Sequence, residues 1–218
     1  MTDKRRPAAT PTAALNTKRA EICRTAAQVF RDRGFDGTSV SDVAQALKMT
    51  KAGLYHYFTG KEALLFEILS YGLDQVRDDV AEPARAMRDA ETRLRELVRG
   101  HARIVTRAHG AVASLVDETR ALPLPARRRI EERMGVHLDL MRSTLTELKT
   151  EGKLRDIDVT VAAFGVLGMI LWIPRWFRHG GRLTEDQVAE ETANFALAGL
   201  LREPPARRPR VPRPPRSK

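Results

Sequence analysis

MTKAGLYHYFTGKEAL, residues 49–64, concentrates aromatic side chains in a chain of 218 residues that has only three tyrosines. Within this stretch Tyr55, His56, Tyr57 and Phe58 follow one another. Successive residues of an α-helix point about 100° apart, so these four rings cannot all face one core. Some of them must therefore contact something other than the interior of the protein.

Capping signals place this stretch at the end of a unit of three short helices. A first helix is predicted over 17–33 and is expected to end there because the next residue is a glycine. Ser39 and Asp42 have the spacing of a capping box and predict a second helix that runs to about Leu47. A third helix is predicted over 50–58. Three helices within about forty residues, the last two joined by a short turn, indicate a helix-turn-helix unit.

Apolar residues at helical spacing continue along the rest of the chain, which predicts an all-α protein of about nine helices. Thr59 and Glu62 predict a capping box at the start of a long fourth helix, and Thr184 and Gln187 predict one for the last helix. The remaining helices are predicted over 84–107, 110–120, 125–151, 157–178 and 184–202.

Charge is distributed unevenly along the chain. The net charge of +10 divides into +2 over 1–16, +4 over 17–61, −2 over 62–203 and +6 over 204–218. A basic helix-turn-helix unit favours a polyanionic partner. We therefore expect a disordered basic tail over 1–16, a DNA-binding domain over 17–61, a helical body over 62–203 and a disordered Pro/Arg-rich tail over 204–218. That last tail is either a solvated segment or a further nucleic-acid contact.

The third predicted helix has the chemistry that a helix in the major groove of DNA requires. Leu54 and Phe58, four residues apart, are expected to hold the helix on its domain. A hydroxyl, an ammonium group and a methyl group at the tip can reach base edges or phosphates, and a glycine lets the backbone approach the duplex. These residues are Thr50, Lys51, Ala52 and Gly53. Lys61, in the first turn of the fourth helix, is expected to hold a phosphate together with free backbone N–H groups.

The segment FRDRGFDGTSVSDVAQALKMTKAGLYHYFTGKEALLFEIL resembles the DNA-binding domain of the TetR family of bacterial transcriptional regulators. The resemblance covers residues 18 to about 70. It implies a helix-turn-helix head on a ligand-binding body that dimerises through its last two helices. The implied DNA contacts are the sugar-phosphate backbone for Thr38 and Ser39, the bases for Thr50, Lys51, Ala52 and Tyr55, and phosphate for Tyr57 and Lys61.

Two positions depart from the pattern of the family. Lys48 stands where the turn usually has a glycine, so it either takes a positive φ or adds a phosphate contact. Histidine is usual at the position of Tyr57, whereas this chain has its histidine at His56. The sequence leaves open which of these two residues contacts DNA.

Small residues at spacings of three predict a dimer interface on the last two helices. The residues concerned are Ala162, Gly165 and Gly168 on one helix and Ala193, Ala196 and Gly199 on the other. Two such helices per subunit could pair with their symmetry mates as a four-helix bundle, or they could pack within one chain. The first of these helices is uncharged from Val159 to Pro174, and we expect it to be buried on nearly all sides. A membrane span would need about 20 apolar residues.

The end of the body, WIPRWFRHGGRLTEDQVAEETANFALAGL, resembles TetR regulators of actinobacterial steroid and fatty-acid catabolism, some of which respond to acyl-CoA thioesters. An apolar cavity with arginine at its mouth would suit an acyl chain on an anionic head group. The expected ligand-binding residues are Phe66, Met134, His137, Met141, Trp172, Arg175, Trp176 and Arg178. The alternative is that the tryptophans belong to the core and the arginines complement the helix dipole.

The sequence thus predicts an all-α homodimeric regulator, a repressor more readily than an activator, that binds a palindromic operator as double-stranded DNA. A small apolar effector, such as an acyl-CoA, would release it. We expect no enzymatic activity, cofactor, metal or membrane partner, because the body has no nucleophile–base pattern, phosphate-binding glycine loop or clustered metal ligands. With one cysteine and no signal peptide, the protein is expected to be cytoplasmic and associated with the nucleoid. The alternatives are a sequence-nonspecific DNA-binding protein and an all-α enzyme.

Overall fold

The computed structural model describes residues 11–107 and 110–202, apart from the side chains of 11–16, 110 and 111. The described residues form α-helices, joined by turns and one isolated β-bridge between Leu154 and Leu201. The α-helices are α1 (Pro11–Arg33), α2 (Val40–Ala46), α3 (Lys51–Tyr55), α4 (Lys61–Val76), α5 (Glu82–Arg85), α6 (Ala90–Thr106), α7 (Gly110–Ala113), α8 (Leu124–Thr150), α9 (Val159–Trp176) and α10 (Glu185–Leu200). A π-helical turn, Arg77–Ala81, joins α4 to α5, and a 3-10 helix, Val116–Ala121, precedes α8. The all-α prediction is confirmed.

The helix ends follow from local capping chemistry. Ser39 and Thr184 form the predicted capping boxes of α2 and α10. The capping box predicted for Thr59 and Glu62 is wrong, because α4 begins one residue later, with Gly60 at its N-cap and no side-chain cap. The start of α1 also differs from the prediction. This helix begins at Pro11, so part of the tail predicted over 1–16 is helical, whereas 1–10 and 203–218 lie outside the described residues.

The buried side chains form two hydrophobic clusters. The N-terminal cluster joins α1 to α4 and includes residues of α7, of the start of α8 and of the segment between them. The C-terminal cluster centres on α6, against which α8, α9 and α10 pack. Packing does not divide at residue 61, because Leu64, Leu65, Ile68 and Leu69 of α4 are buried in the N-terminal cluster. Helix α4 therefore belongs to the DNA-binding domain at one end and extends into the body at the other.

The largely uncharged composition of α9 predicts a helix buried on nearly all sides, and this prediction is wrong. One face, which includes Ala162 and Ile170, is buried inside the subunit, whereas Phe164 and Trp172 are exposed. By length and composition α9 could also cross a membrane, but core helices of soluble proteins meet the same criterion. Its packing on α6 and α8 shows instead a helix that belongs to the body and leaves one apolar face uncovered.

Candidate DNA-binding surface and ligand cavity

Helix α3 divides its side chains between the domain core and solvent. Leu54 and Phe58 are buried in the N-terminal cluster, as predicted from their spacing. Lys51, Ala52 and Tyr55 are exposed. This face of α3 is uncovered in the subunit and is cationic at its start, so it has the shape and charge to enter a groove of DNA.

The turn before α3 is fixed by two backbone features. Lys48 has φ 54°, which is the left-handed conformation expected where a glycine is usual, and its side chain is exposed. The Thr50 hydroxyl caps α3 by accepting a hydrogen bond from the Gly53 amide at 3.0 Å. A Cβ at Gly53 would lie 3.1 Å from that hydroxyl oxygen. The glycine therefore leaves room for the cap, in addition to any close approach to DNA.

Thr38 and Ser39 both have partners inside the domain. The Thr38 side chain is buried, and its hydroxyl donates to the carbonyl of Gly34 at 2.7 Å. Thr38 is therefore not available to the DNA backbone as the sequence implied. Ser39 is exposed, and its hydroxyl donates to the Asp42 carboxylate while capping α2. This hydrogen bond and the Ser39 amide hold the pKa of Asp42 below its usual range.

Two of the three N–H donors of the Lys61 ammonium group have partners inside the domain. Its Nζ donates to the carbonyl of Phe35 at 2.9 Å and lies 4.3 Å from the centre of the Phe35 ring. A longer hydrogen bond of 3.4 Å reaches the carbonyl of Asp36. The side chain therefore ties the start of α4 to the loop between α1 and α2. This explains the position of a cation at a helix N-terminus without a phosphate.

His56 and Tyr57 differ in exposure. His56 is exposed at the end of α3. Tyr57 is half-buried, packs against the N-terminal cluster and lies 6.4 Å from Phe58 between ring centres. Of these two side chains, only the imidazole of His56 is largely exposed to solvent.

An apolar cavity of about 110 Å³ lies in the body, between α4, α6, α7, α8 and α9. Its walls include Gly72 and Val76 of α4 and Leu167 and Leu171 of α9. A Cβ at Gly72 would lie 2.5 Å from the Val112 side chain, so a larger residue would displace α7. Two polar side chains, those of His101 and His137, are among the described residues that line this cavity.

These two histidines, called the imidazole pair below, are buried, and three of their four ring nitrogens lack a hydrogen-bond partner. Their ring centres are 5.0 Å apart with the planes at 82°. His101 Nδ1 and both ring nitrogens of His137 have no hydrogen-bond partner in the described structure. Burial lowers the pKa of His101 to about 3, and the neighbouring His137 lowers it by a smaller amount. Burial lowers the pKa of His137 to about 4, with a smaller contribution from the charge of Arg85. Both rings are therefore neutral near pH 7, and each offers one donor and one acceptor.

The structure brings only part of the predicted ligand set together at this cavity. Met134 and His137 line it. Met141 lies in the C-terminal cluster, away from the cavity wall. Phe66 stacks under Arg129 in a groove between α4 and α8. Trp172 and Trp176 do not line it either, because they lie on the exposed face of α9. Sequence reasoning missed His101, which is 36 residues from His137 and meets it only through the packing of α6 on α8.

Arg175 and Arg178 line a separate polar groove of about 430 Å³ between α1 and the end of α9. Arg31 and Arg107 also line it, and Val105 lines both the groove and the apolar cavity. Arg175 stacks on Trp172 at 4.7 Å from the ring centre and lies 3.5 Å from the Asp117 carboxylate. A cationic groove therefore adjoins the apolar cavity across α6.

The small residues of α9 and α10 divide between two faces. Ala162, Ala193 and Ala196 are buried in the C-terminal cluster, so their assignment to a dimer interface is wrong. Gly165, Gly168 and Gly199 are exposed, and a Cβ at any of them would meet nothing within 4 Å. Beside these glycines are the exposed apolar side chains Val161, Phe164, Trp172, Trp176 and Phe195. We call these glycines and apolar side chains the α9/α10 face.

Two family models match the chain. The model described as bacterial regulatory proteins, tetR family, matches residues 22–68, and the model described as Tetracyclin repressor-like, C-terminal domain, matches residues 87–200. The first match coincides with the helix-turn-helix unit and the start of α4. The second covers α6 to α10, which line the cavity together with α4 and include both helices of the α9/α10 face.

Relatives along nearly the whole chain agree with these matches. The HTH-type transcriptional repressor KstR2 of Rhodococcus jostii (strain RHA1) is 32% identical, covering 89% of this chain and 96% of the relative. The crystal structure of AibR in complex with isovaleryl coenzyme A and operator DNA is 36% identical, with a TM-score of 0.74 and coverage of 82% of this chain and 97% of that chain. The structure of KstR2 of Mycobacterium tuberculosis is 27% identical with a TM-score of 0.77, covering 86% of this chain and 97% of that one. These relatives are transcriptional regulators, not enzymes, and the chain belongs to the same TetR family of DNA-binding bacterial regulatory proteins.

Proposed function

We propose that the protein is a homodimeric repressor that binds a palindromic operator and leaves it when an acyl-CoA thioester occupies the body. The observation that carries this proposal is the position of α4. Its first half forms part of the N-terminal cluster, and Leu69, Gly72, Leu73 and Val76 along it line the apolar cavity. A ligand in the cavity therefore contacts the same helix that supports the DNA-binding domain.

The proposed DNA-reading surface is the exposed face of α3 and the turn before it. Lys51, Ala52 and Tyr55 would reach base edges, with Thr50 at the tip and Lys48 on a phosphate. Ser39, exposed at the start of α2, would contact the DNA backbone, and the backbone at Gly53 would lie close to the duplex. Exposure favours His56 over Tyr57 as the further phosphate contact.

The proposed dimer contact is the α9/α10 face. Several large apolar side chains exposed on one surface mark an interaction site, and exposed glycines let a second helix approach closely. Regulators of this family bind DNA as dimers. Two recognition helices held by a two-fold interface would enter successive major grooves, which are about 34 Å apart.

The proposed effector class follows from the cavity and the groove that adjoins it. An acyl group suits an apolar cavity, and the phosphates of coenzyme A suit a groove lined by Arg31, Arg107, Arg175 and Arg178. The relative AibR was crystallised with isovaleryl coenzyme A and operator DNA. Since Arg31 belongs to α1 and Arg175 to α9, a head group in the groove would also contact both domains.

Release from DNA would be a shift in population between two body conformations. The effector must bind the DNA-incompetent conformation more tightly, because a ligand with equal affinity for both shifts nothing. Filling the cavity moves α4, and α4 carries the N-terminal cluster with it. As a member of this family the protein is cytoplasmic, and binding of an operator would place it on the nucleoid.

A titration by fluorescence anisotropy at fixed salt tests the proposal. DNA from upstream of the gene itself should bind far more tightly than scrambled DNA of equal length, and an acyl-CoA should weaken only the specific complex. Equal affinity for both DNAs would favour a sequence-nonspecific DNA-binding protein instead. Specific binding that no acyl-CoA in a panel of short, long and steroidal chains weakens would refute the effector class.

A further inference from the structure

The apolar cavity has a polar feature that packing alone does not require. Its other described lining side chains are apolar, and the imidazole pair is the exception. His101 is 7% exposed and His137 is 8% exposed, yet three of their ring nitrogens have no partner. Buried polar groups in folded proteins are nearly always hydrogen-bonded, so three unpartnered nitrogens on two rings that line a cavity indicate a missing partner.

The chemistry of the pair restricts what that partner is. Both rings are neutral near pH 7, because burial lowers the pKa of each imidazole. Neutral imidazoles complement a neutral carbonyl or hydroxyl oxygen, and they would not compensate the charge of a carboxylate buried among apolar side chains. The described lining of the cavity contains no arginine or lysine. A thioester therefore fits this site better than a free fatty acid does.

The size of the cavity restricts the apolar part of the ligand. An engineered cavity of roughly 150 Å³ in another protein holds one benzene molecule. The cavity here, at about 110 Å³, has room for a short or branched acyl group. The four fused rings of a steroid need several times this volume, so they would require the helices to separate.

We propose that the imidazole pair, His101 and His137, recognises the carbonyl oxygen of a short acyl thioester whose apolar group fills the cavity. This inference rests on the proposed acyl-CoA effector and assigns its selectivity to two residues. One ring N–H donates to the carbonyl oxygen, and the edge-to-face contact between the rings orients the donor. The apolar walls from α4, α8 and α9 select the size of the group.

A pair of ligands that differ in one oxygen tests this without altering the protein. Isovaleryl-CoA carries the thioester carbonyl, and S-isopentyl-CoA is the thioether of the same shape without it. Calorimetry on the full chain should give the thioester about tenfold higher affinity, which is the worth of one hydrogen bond to a buried partner. A steroidal acyl-CoA should bind more weakly than isovaleryl-CoA by a similar factor or more.

Variants assign the preference to the pair. H137F and H101F keep the ring and the burial but remove the hydrogen-bonding nitrogens, and in at least one of them the thioester-to-thioether ratio should fall to about one. M134L changes an apolar lining residue to another and should keep the ratio. Melting curves of each variant without ligand establish that it folds.

The outcomes separate this inference from the proposed function. Equal binding of thioester and thioether by the unaltered protein would overturn the inference while leaving an acyl-CoA effector intact. A preference that persists in both phenylalanine variants would also overturn it. Binding of neither ligand, nor of a longer or steroidal acyl-CoA, would overturn the effector class and the inference with it.

Discussion

Replacing Lys61 by methionine should lower the stability of the protein in the absence of DNA. The substitution removes the 2.9 Å hydrogen bond to the Phe35 carbonyl and the cation–π contact at 4.3 Å. A hydrogen bond from a charged group contributes about 1.5–3 kcal/mol and an exposed cation–π contact about 0.5–1 kcal/mol, whereas ordering a lysine side chain costs up to about 2 kcal/mol. The expected net loss is therefore about 1–2 kcal/mol, or a melting temperature lower by roughly 2–8 °C.

Lys51→Met is the matched control, because Lys51 is exposed on the proposed DNA-reading surface. It should leave the melting temperature unchanged and weaken DNA binding, with a shallower dependence of affinity on salt if it contacts phosphate. Differential scanning fluorimetry measures the first property, and hydrogen exchange of residues 34–39 locates the effect of Lys61→Met. If Lys61→Met melted like the parent protein and lost only DNA affinity, Lys61 would be a phosphate contact after all, and its structural role would be refuted.

Three further predictions concern the body. The free energy of unfolding should fall as the pH drops below about 6.5, because the imidazoles of the unfolded chain take up protons there, whereas the buried pair, with folded pKa values of about 3 and 4, does not. Urea unfolding at pH 7 and pH 5 should show a loss on the order of 1 kcal/mol per histidine and pH unit. The variant H137F should show a weaker dependence on pH. Phe195→Glu should yield monomers in analytical ultracentrifugation, since Phe195 is 74% exposed on the α9/α10 face; a dimer that persists would place the contact elsewhere. Gly72→Ala should lower the melting temperature because its Cβ would lie 2.5 Å from the opposing valine, whereas Gly135→Ala in α8, with nothing within 4 Å, should raise stability by about 0.5–1 kcal/mol.

The parts of the fold that depend on local chemistry were predictable from the sequence. The capping boxes at Ser39 and Thr184 are decided within a few residues, and both are confirmed. At Lys48 the backbone takes the positive φ, which is one of the two alternatives that the family resemblance left open. The failure at Thr59 has the same local origin. Thr59 and Gly60 compete for the N-cap, and the extended backbone at the glycine makes it the N-cap.

The parts that depend on how helices meet were not predictable. A stripe of small residues does not reveal which of its members face the core: Ala162 is buried, whereas Gly165, three residues further along α9, is exposed. Lys61 has its partners 25 and 26 residues away, in a loop whose position only the folded domain fixes. The imidazole pair likewise leaves no local pattern, because each histidine alone is typical of a helix.

The most direct test of the proposed function is one anisotropy titration of the dimer on its own upstream DNA, with isovaleryl-CoA added to the preformed complex. We expect tight, sequence-specific binding and a concentration-dependent release by the thioester, with no release by free coenzyme A. A specific complex whose affinity is the same at saturating acyl-CoA would contradict the coupling through α4, and with it release of the operator by an acyl-CoA.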